Sequence, residues 1–598
     1  MRHDVPKYST RMYNHQQVRR VEGHQDQKMD SSFLGKMLHR VIKNGFKNGA
    51  SVIFQQQRTI FSSAAVISVM VLISALLGLV RKRLYAGILA AGPDYDTLVA
   101  AFRIPDLVFQ LLVAGSLNAA FIPLFSRYIV TDKPEGAWKF ASLVLNFTLV
   151  FFVFLSALGM FFAFPLSQIL APGFSFNQQV QLAHLMRVVF LSPILLGVSS
   201  FVGGMVQSFK RFLIPFFSPV VYNLGAIFGI LFLYPLFGLS GMAWGIVLGS
   251  FLHLLVQLPL LRHLGFRYLF CFSWREPALR ELLRLALPRT IWAVISEAKE
   301  IIVVRLASML AAGSISVLDY GQAVVRFPVS IFGASIAQAA LPSLSEQVAK
   351  GNLKKFRSIF VNSLLQIIYI LAPVSVVFII LKIPLVRLVF GTGNFSWSDT
   401  LMTSWVVALF SLSLLAQAGK ELVVRGFYAL RDSDTPVIVG VFSLCLGLVL
   451  AVILIPRWGV RGIVLGLSFG FLVEFGLLLG LFLRKAAISL GALLPAVIKI
   501  FVSSVVMAAA VYFPVKILDQ IFIDTRLVVN LVVLVWVVLT FGGSVYLLLT
   551  WFLGCKQIEI FFLILLKLKN WREVLTSFKD LSPQTIQSID GEESGGID

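Results

Sequence analysis

Acidic residues are scarce in this 598-residue chain, 29 against 51 lysines and arginines, and charge of either sign makes up only 13%. With 58% hydrophobic residues and a mean hydropathy of +0.87, that scarcity excludes a water-soluble fold, which could not hide so much apolar area. Cysteine is nearly absent. Cys271, Cys445 and Cys555 stand apart with no CxxC pair, which excludes a disulfide framework and a thiolate metal centre. His184 and His253 are equally isolated, so no metal site is expected. The chain also lacks an early apolar core: residues 1–58 are polar and basic, with 11 Lys/Arg against 4 acids, and no cleavable signal segment is read there. The net charge of +22 does not point to nucleic acid, because the cations sit in short polar breaks between apolar runs, as in cytoplasmic loops held against anionic lipid.

What is present is a succession of apolar segments. A hydrocarbon core of ~30 Å needs ~20 apolar residues per helix, and segmentation between residues 61 and 553 predicts fourteen such helices. The expected fold is an all-α polytopic membrane protein. Breaks after the even-numbered spans carry lysine and arginine, for example Lys210/Arg211 and Lys354/Lys355/Arg357. Those after spans 3, 5 and 7 carry none. The positive-inside bias therefore puts both termini in the cytoplasm. "KQIEIFFLILLKLKNWREV" reads as an amphipathic stretch at the inner surface, followed by a disordered acidic end.

Two quotations predict the architecture. "PLFGLSGMAWG" from Pro235 and "PRWGVRGIVLG" from Pro456 share P-x2-G-x2-G-x3-G, 221 residues apart. Arg103-Ile-Pro105 matches Arg326-Phe-Pro328 at an offset of 223, and Pro123 has a later counterpart in Pro342. An offset of six spans means that both copies enter the membrane in one direction, a parallel repeat. The expected layout is a basic extension (1–58), an N-lobe of six spans (59–265), a C-lobe of six (266–486), two appended spans (487–554) and a tail (555–598). Prolines in spans 2 and 8 are expected to break those helices where they line a cavity.

Each intramembrane charge costs roughly 2.5–3.5 kcal/mol even on a lenient scale, so such groups face the protein interior. Span 7 holds Arg289, Glu297, Lys299, Glu300 and Arg305, and span 2 holds Asp96, Arg103 and Asp106, the last spaced to pair with Arg103. Arg81-Lys82-Arg83 end span 1 on the outer side, against the bias of the other loops. Two readings stand for them: snorkelling to outer headgroups, or lining a cavity that handles an anion. Arg81, Lys82, Arg83, Arg103, Arg289, Lys299 and Arg326 form the expected cationic cavity, suited to a phosphate or diphosphate headgroup. Asp96 and Glu300 are the expected coupling or gating acids. Pro105, Gly115, Pro123, Pro328 and Pro342 are the expected helix breaks.

"AAGPDYDTLVAAFRIPDLVFQLLVAGSLNAAFIPLFSRY", with "LPRTIWAVISE" and "RFPVSIFGASIAQAALPSLSE", resembles the MurJ (MviN) family of lipid II flippases in the MOP exporter superfamily. The resemblance covers roughly residues 60–550. It implies two lobes around a cationic cavity and transfer of an undecaprenyl-diphosphate-linked peptidoglycan precursor between leaflets of the bacterial inner membrane. By position, Arg81 falls at a family arginine and Asp96 at a family aspartate, while Gly92, Pro105, Gly115 and Pro123 match backbone positions. The chain departs from the pattern at Ala75, Phe109, Gln110, Ala114 and Ala323, where charged family residues are replaced, and at Arg326, which stands in a family glutamate's place.

The resemblance implies a transporter with no cofactor, whose partners are a lipid-linked diphosphate and membrane lipids; other cell-wall synthesis proteins are candidate partners, and a monomer is expected. Membrane potential and a coupling ion both stand as driving forces. A polysaccharide-repeat flippase or another MOP-type exporter is the competing reading, and a transport-dead scaffold a further one.

Overall fold

The computed structural model describes residues 60–112, 118–131, 134–273, 275–517 and 528–559, and no strand occurs among them. Residues 1–58, Gly115 and the tail beyond residue 559 lie outside the described residues.

The first half of the chain runs through α1 (Ile60–Leu89), α2 (Pro93–Leu112), α3 (Asn118–Thr131), α4 (Pro134–Phe161) and α5 (Ala163–Leu170). It continues through α6 (Phe176–Val189), α7 (Leu191–Ser208), α8 (Leu213–Phe228), α9 (Tyr234–Phe237), α10 (Leu239–Leu255) and α11 (Leu258–His263). The second half opens with α12 (Pro277–Ser308), α13 (Ser314–Pro328), α14 (Ser335–Ala349), α15 (Leu353–Ile380), α16 (Lys382–Phe390) and α17 (Trp397–Ser411). It ends with α18 (Leu414–Ala429), α19 (Asp434–Trp458), α20 (Val460–Lys485), α21 (Leu494–Ile517) and α22 (Val528–Phe552).

Ten helices among the described residues are long and apolar enough to cross a membrane, eleven if α17 and α18, bent by 44°, count as one span. The protein is thus a multi-pass membrane protein, and the predicted count of fourteen is not reached on length and hydropathy. The remaining expected spans are α1, α2–α3 and α12, the helices into which the sequence puts its interior charge.

The repeated glycine motif adopts one geometry twice. Gly238 turns at φ 56°, ψ −142° before α10, and Gly459 at φ 53°, ψ −129° before α20. Only glycine enters that region without a steric cost. The next motif glycines bring backbones together: a Cβ on Gly241 would strike Leu233, and one on Gly462 would strike Leu454. Proline acts differently in its two copies. Pro328 is followed by a π turn at Val329–Ala334, whereas α2 runs on through Pro105 to Leu112. Pro123 and Pro342 sit inside α3 and α14.

Packing between the halves is carried by α12 against α2 and α3, α13 against α2 and α1, and α16 against α1. At one end, Leu279 and Leu282 of α12 join an aromatic cluster of Phe121, Phe125, Phe201 and Trp138. At the other end, the two halves meet through the turn between α1 and α2.

Candidate functional site

That α1–α2 turn is bound to the second half by a set of polar contacts laid over an aromatic core. Asp96, buried on α2, accepts hydrogen bonds from the Gly313 amide (2.6 Å), the Ser316 amide (2.7 Å) and the Ser316 hydroxyl (2.5 Å). It is therefore a cap supplied from outside the helix: α13 lacks a side-chain cap of its own, and its first amides find their acceptor on another half. Gly313, at φ 88°, allows the approach, since a Cβ there would meet the Ala91 carbonyl. Around this pair, the Tyr320 hydroxyl donates to Ala90 O (3.1 Å), the Asn394 amide to Gly87 O (2.9 Å), and the Asn394 side chain to Ile88 O (2.8 Å). Tyr95 and Tyr320 stack at 4.5 Å, with Phe390 4.9 Å from Tyr320. The result is a seal at this end of the bundle.

One to two turns deeper lies a layer of ions. Asp319 of α13 is paired with Lys82, accepts from the Tyr95 hydroxyl (2.8 Å) and lies 3.8 Å from Arg103. Glu300 of α12 is shared by Arg326 (2.9 Å), Lys299 (3.1 Å) and Arg103 (3.8 Å). Four cations thus rest on two carboxylates. Arg81 adds a fifth, stacked 5.6 Å over the Tyr222 ring, with buried Nε and Nη1 that have no hydrogen-bond partner. Leaving buried donors of a charged group unmade costs several kcal/mol. Glu297 and Asp106 also act on Arg103 through space, so the layer sets five cations against four carboxylates.

The predicted residues sort as follows. Lys82, Arg103, Lys299, Arg326 and Glu300 come together in this layer, Arg81 lies beside α8, and Asp96 sits in the seal. Arg83 is spent on structure: it donates to the carbonyls of Leu388 (2.5 Å) and Val389 (2.8 Å), tying α1 to α16. Arg305 similarly donates to Ile169 O. The side chain of Arg289 lies outside the described residues. Asp106 is not among Arg103's ion partners, which are Glu300 and Asp319. Among the described residues no group of three or more His, Cys, Asp or Glu is placed to hold a metal.

Asp319 is the residue that sequence reasoning missed, and the repeat contained it. The offset of 223 that matches Arg103 to Arg326 also matches Asp96 to Asp319, so D-x6-R-x-P occurs in both halves. The copies have diverged in use. The first aspartate caps a helix of the other half, and the second holds cations from the first half.

A family profile described as "Lipid II flippase MurJ" matches residues 85–537. Among curated proteins, the "Probable lipid II flippase MurJ" of Buchnera aphidicola subsp. Acyrthosiphon pisum is 30% identical over 71% of this chain and 84% of its own length. That of Rhizobium meliloti is 27% identical over 65% and 74%. Among solved structures, "Lipid II flippase MurJ, inward closed conformation" superposes with a TM-score of 0.69 at 22% identity, covering 81% of this chain and 98% of that one. An inward-facing multidrug resistance MATE family transporter of the MOP superfamily superposes with a TM-score of 0.61 at 16% identity, over 71% and 98%. The shared fold, and above all the profile running through both halves of the repeat, settle the classification: the chain belongs to the lipid II flippase MurJ family.

Proposed function

We propose that the chain moves lipid II, an undecaprenyl-diphosphate-linked headgroup, from the inner to the outer leaflet of the bacterial inner membrane. The carrying observation is the excess of cations over acids beneath the seal, with the Arg81 guanidinium edge unpartnered. A diphosphate is matched by guanidinium forks. Its headgroup must cross ~30 Å of hydrocarbon while its chain stays in lipid.

In this reading the two repeat halves are lobes that rock about the site. The α1–α2 turn faces outward, both termini face the cytoplasm, and the present form is closed to the outside. The diphosphate takes over Arg103 and Arg326 from Glu300, and Arg81 supplies contacts that no carboxylate holds. Seal opening follows when Asp96 releases α13. The chain works without a cofactor, as a monomer among the other cell-wall synthesis proteins. Membrane potential contributes ~2.3 kcal/mol per charge per 100 mV if net charge moves with the cargo.

The test is a leaflet-accessibility assay in proteoliposomes offering lipid II beside a sugar-repeat lipid, with Arg81→Gln, Arg103→Gln and Arg326→Gln alongside. Lipid II transport that falls in all three variants is expected. Movement of only the sugar-repeat lipid would overturn the cargo, and undiminished transport by all three would overturn the site.

A further inference from the structure

Beside the seal, on the second half, lies a cluster of cations and indoles outside the ion layer. The Lys382 ammonium sits 3.2 Å from the centroid of the Trp405 ring, and the Arg461 guanidinium 4.9 Å from the same ring. Arg387 stacks 5.4 Å over Trp397. Arg457, Trp458 and Arg461, in the turn from α19 into α20, line a cavity of about 470 Å³ with Ala311 and Ser314 of the seal and Met402 of α17. None of these four cations takes part in any ion pair found among the described residues. Two like charges on one indole, with no carboxylate between them, repel each other unless an anion joins them.

The repeat supplies an internal control. The first half has the same turn, with Gly238 and Gly459 in nearly equal conformations. At the positions of Arg457, Trp458 and Arg461 it carries Leu236, Phe237 and Ser240, each 221 residues earlier. The backbone therefore needs no cation there. Nor does the depth in the membrane, because both turns close hairpins of the same repeat. Trp397, Trp405 and Trp458 are exposed, as tryptophans are where ring and headgroup meet.

We propose that Arg457 and Arg461, which line the cavity, together with Lys382, which shares the Trp405 ring with Arg461, form a binding site for a phosphate-bearing lipid headgroup at the sealed end of the bundle. The arginines supply paired donors to phosphate oxygens. The indoles set the depth at which a headgroup is met, and the cavity is of ligand size. The site does not rest on the transport reading; it binds lipid whether or not the central layer carries lipid II.

The experiment uses the full chain in neutral detergent micelles, titrated with dihexanoyl phosphatidic acid and separately with inorganic pyrophosphate, and read by native mass spectrometry. The variant Arg457→Leu/Arg461→Ser rebuilds the turn that the first half already folds, and its thermal midpoint checks folding. Phosphatidic acid is expected to bind the wild type and to bind the double variant at least about tenfold more weakly. Lys382→Gln, a second and independent variant, is expected to show a smaller loss. Equal binding of phosphatidic acid to the wild type and both variants would overturn the site. Pyrophosphate bound as tightly as the lipid would overturn its assignment to a lipid headgroup.

Discussion

The carboxylate of Asp96 and the hydroxyl of Ser316, 220 residues apart in the chain, lie 2.5 Å apart in the fold. One half of the molecule thereby finishes a helix that belongs to the other. The first amides of α13 and a buried charge on α2 are each satisfied across the boundary. Closing this end and completing that helix are one event.

Asp96→Ala should loosen the seal. Loss of a cap costs about 0.5–2 kcal/mol, a factor of roughly 2 to 30 in an equilibrium. In a background lacking the three cysteines, a cysteine placed at Ala100, buried beneath the seal, should react correspondingly faster with a membrane-impermeant thiol reagent. An unchanged rate would mean that Asp96 does not hold this end shut.

Gly313→Ala tests the same closure without touching charge. The new Cβ meets the Ala91 carbonyl at a φ of 88°, and the left-handed conformation alone costs about 1–2 kcal/mol for a residue with a side chain. The same thiol assay should show faster labelling. Slower labelling would contradict the close backbone approach.

Asp319→Asn should destabilise by about 1–3 kcal/mol, because it takes the acid from part-buried Lys82, and Lys82→Met should cost less, because Arg103 and the Tyr95 hydroxyl remain beside Asp319. The double variant should recover much of that loss. Thermal unfolding of the four proteins of this cycle measures the coupling, and additive losses would mean that the pair does not act as a unit.

Asp432 sits in the loop between α18 and α19. Burial would raise its pKa, yet the Lys485 ammonium at 2.5 Å and the Thr435 amide and hydroxyl bring it to about 2, below the ordinary 3.8. A depressed carboxylate contributes stability that is full above the ordinary value and is lost as pH falls towards 2. The gap in thermal midpoint between wild type and Asp432→Asn should therefore be constant from neutral pH to about 4 and should shrink below it. A gap that widens on acidification would reverse the assignment.

Local chemistry was legible in the sequence. The Glu421–Arg425 pair, four residues apart on one helix, forms at 2.8 Å as spacing alone requires. The repeated glycines announced two equal turns, and the density of charge on α12 announced that it could not face lipid. Long-range partners were not legible. Arg83 and Arg103 look alike on paper, but one meets the carbonyls of α16 and the other two acids, a difference decided by which helices cross. Asp106 has the spacing for Arg103, yet stronger neighbours on α12 and α13 claim that guanidinium. Asp319 was hidden because a single aspartate among apolar residues gives no periodic signal; only the repeat offset reveals it.

The reciprocal capping by Asp96 has a consequence for kinetics. Parting this contact strips a carboxylate and several amides of their partners in the same instant, and hydrocarbon offers none in exchange. Water that enters the crevice as it widens takes over these groups, so osmolytes that withdraw water should slow the opening.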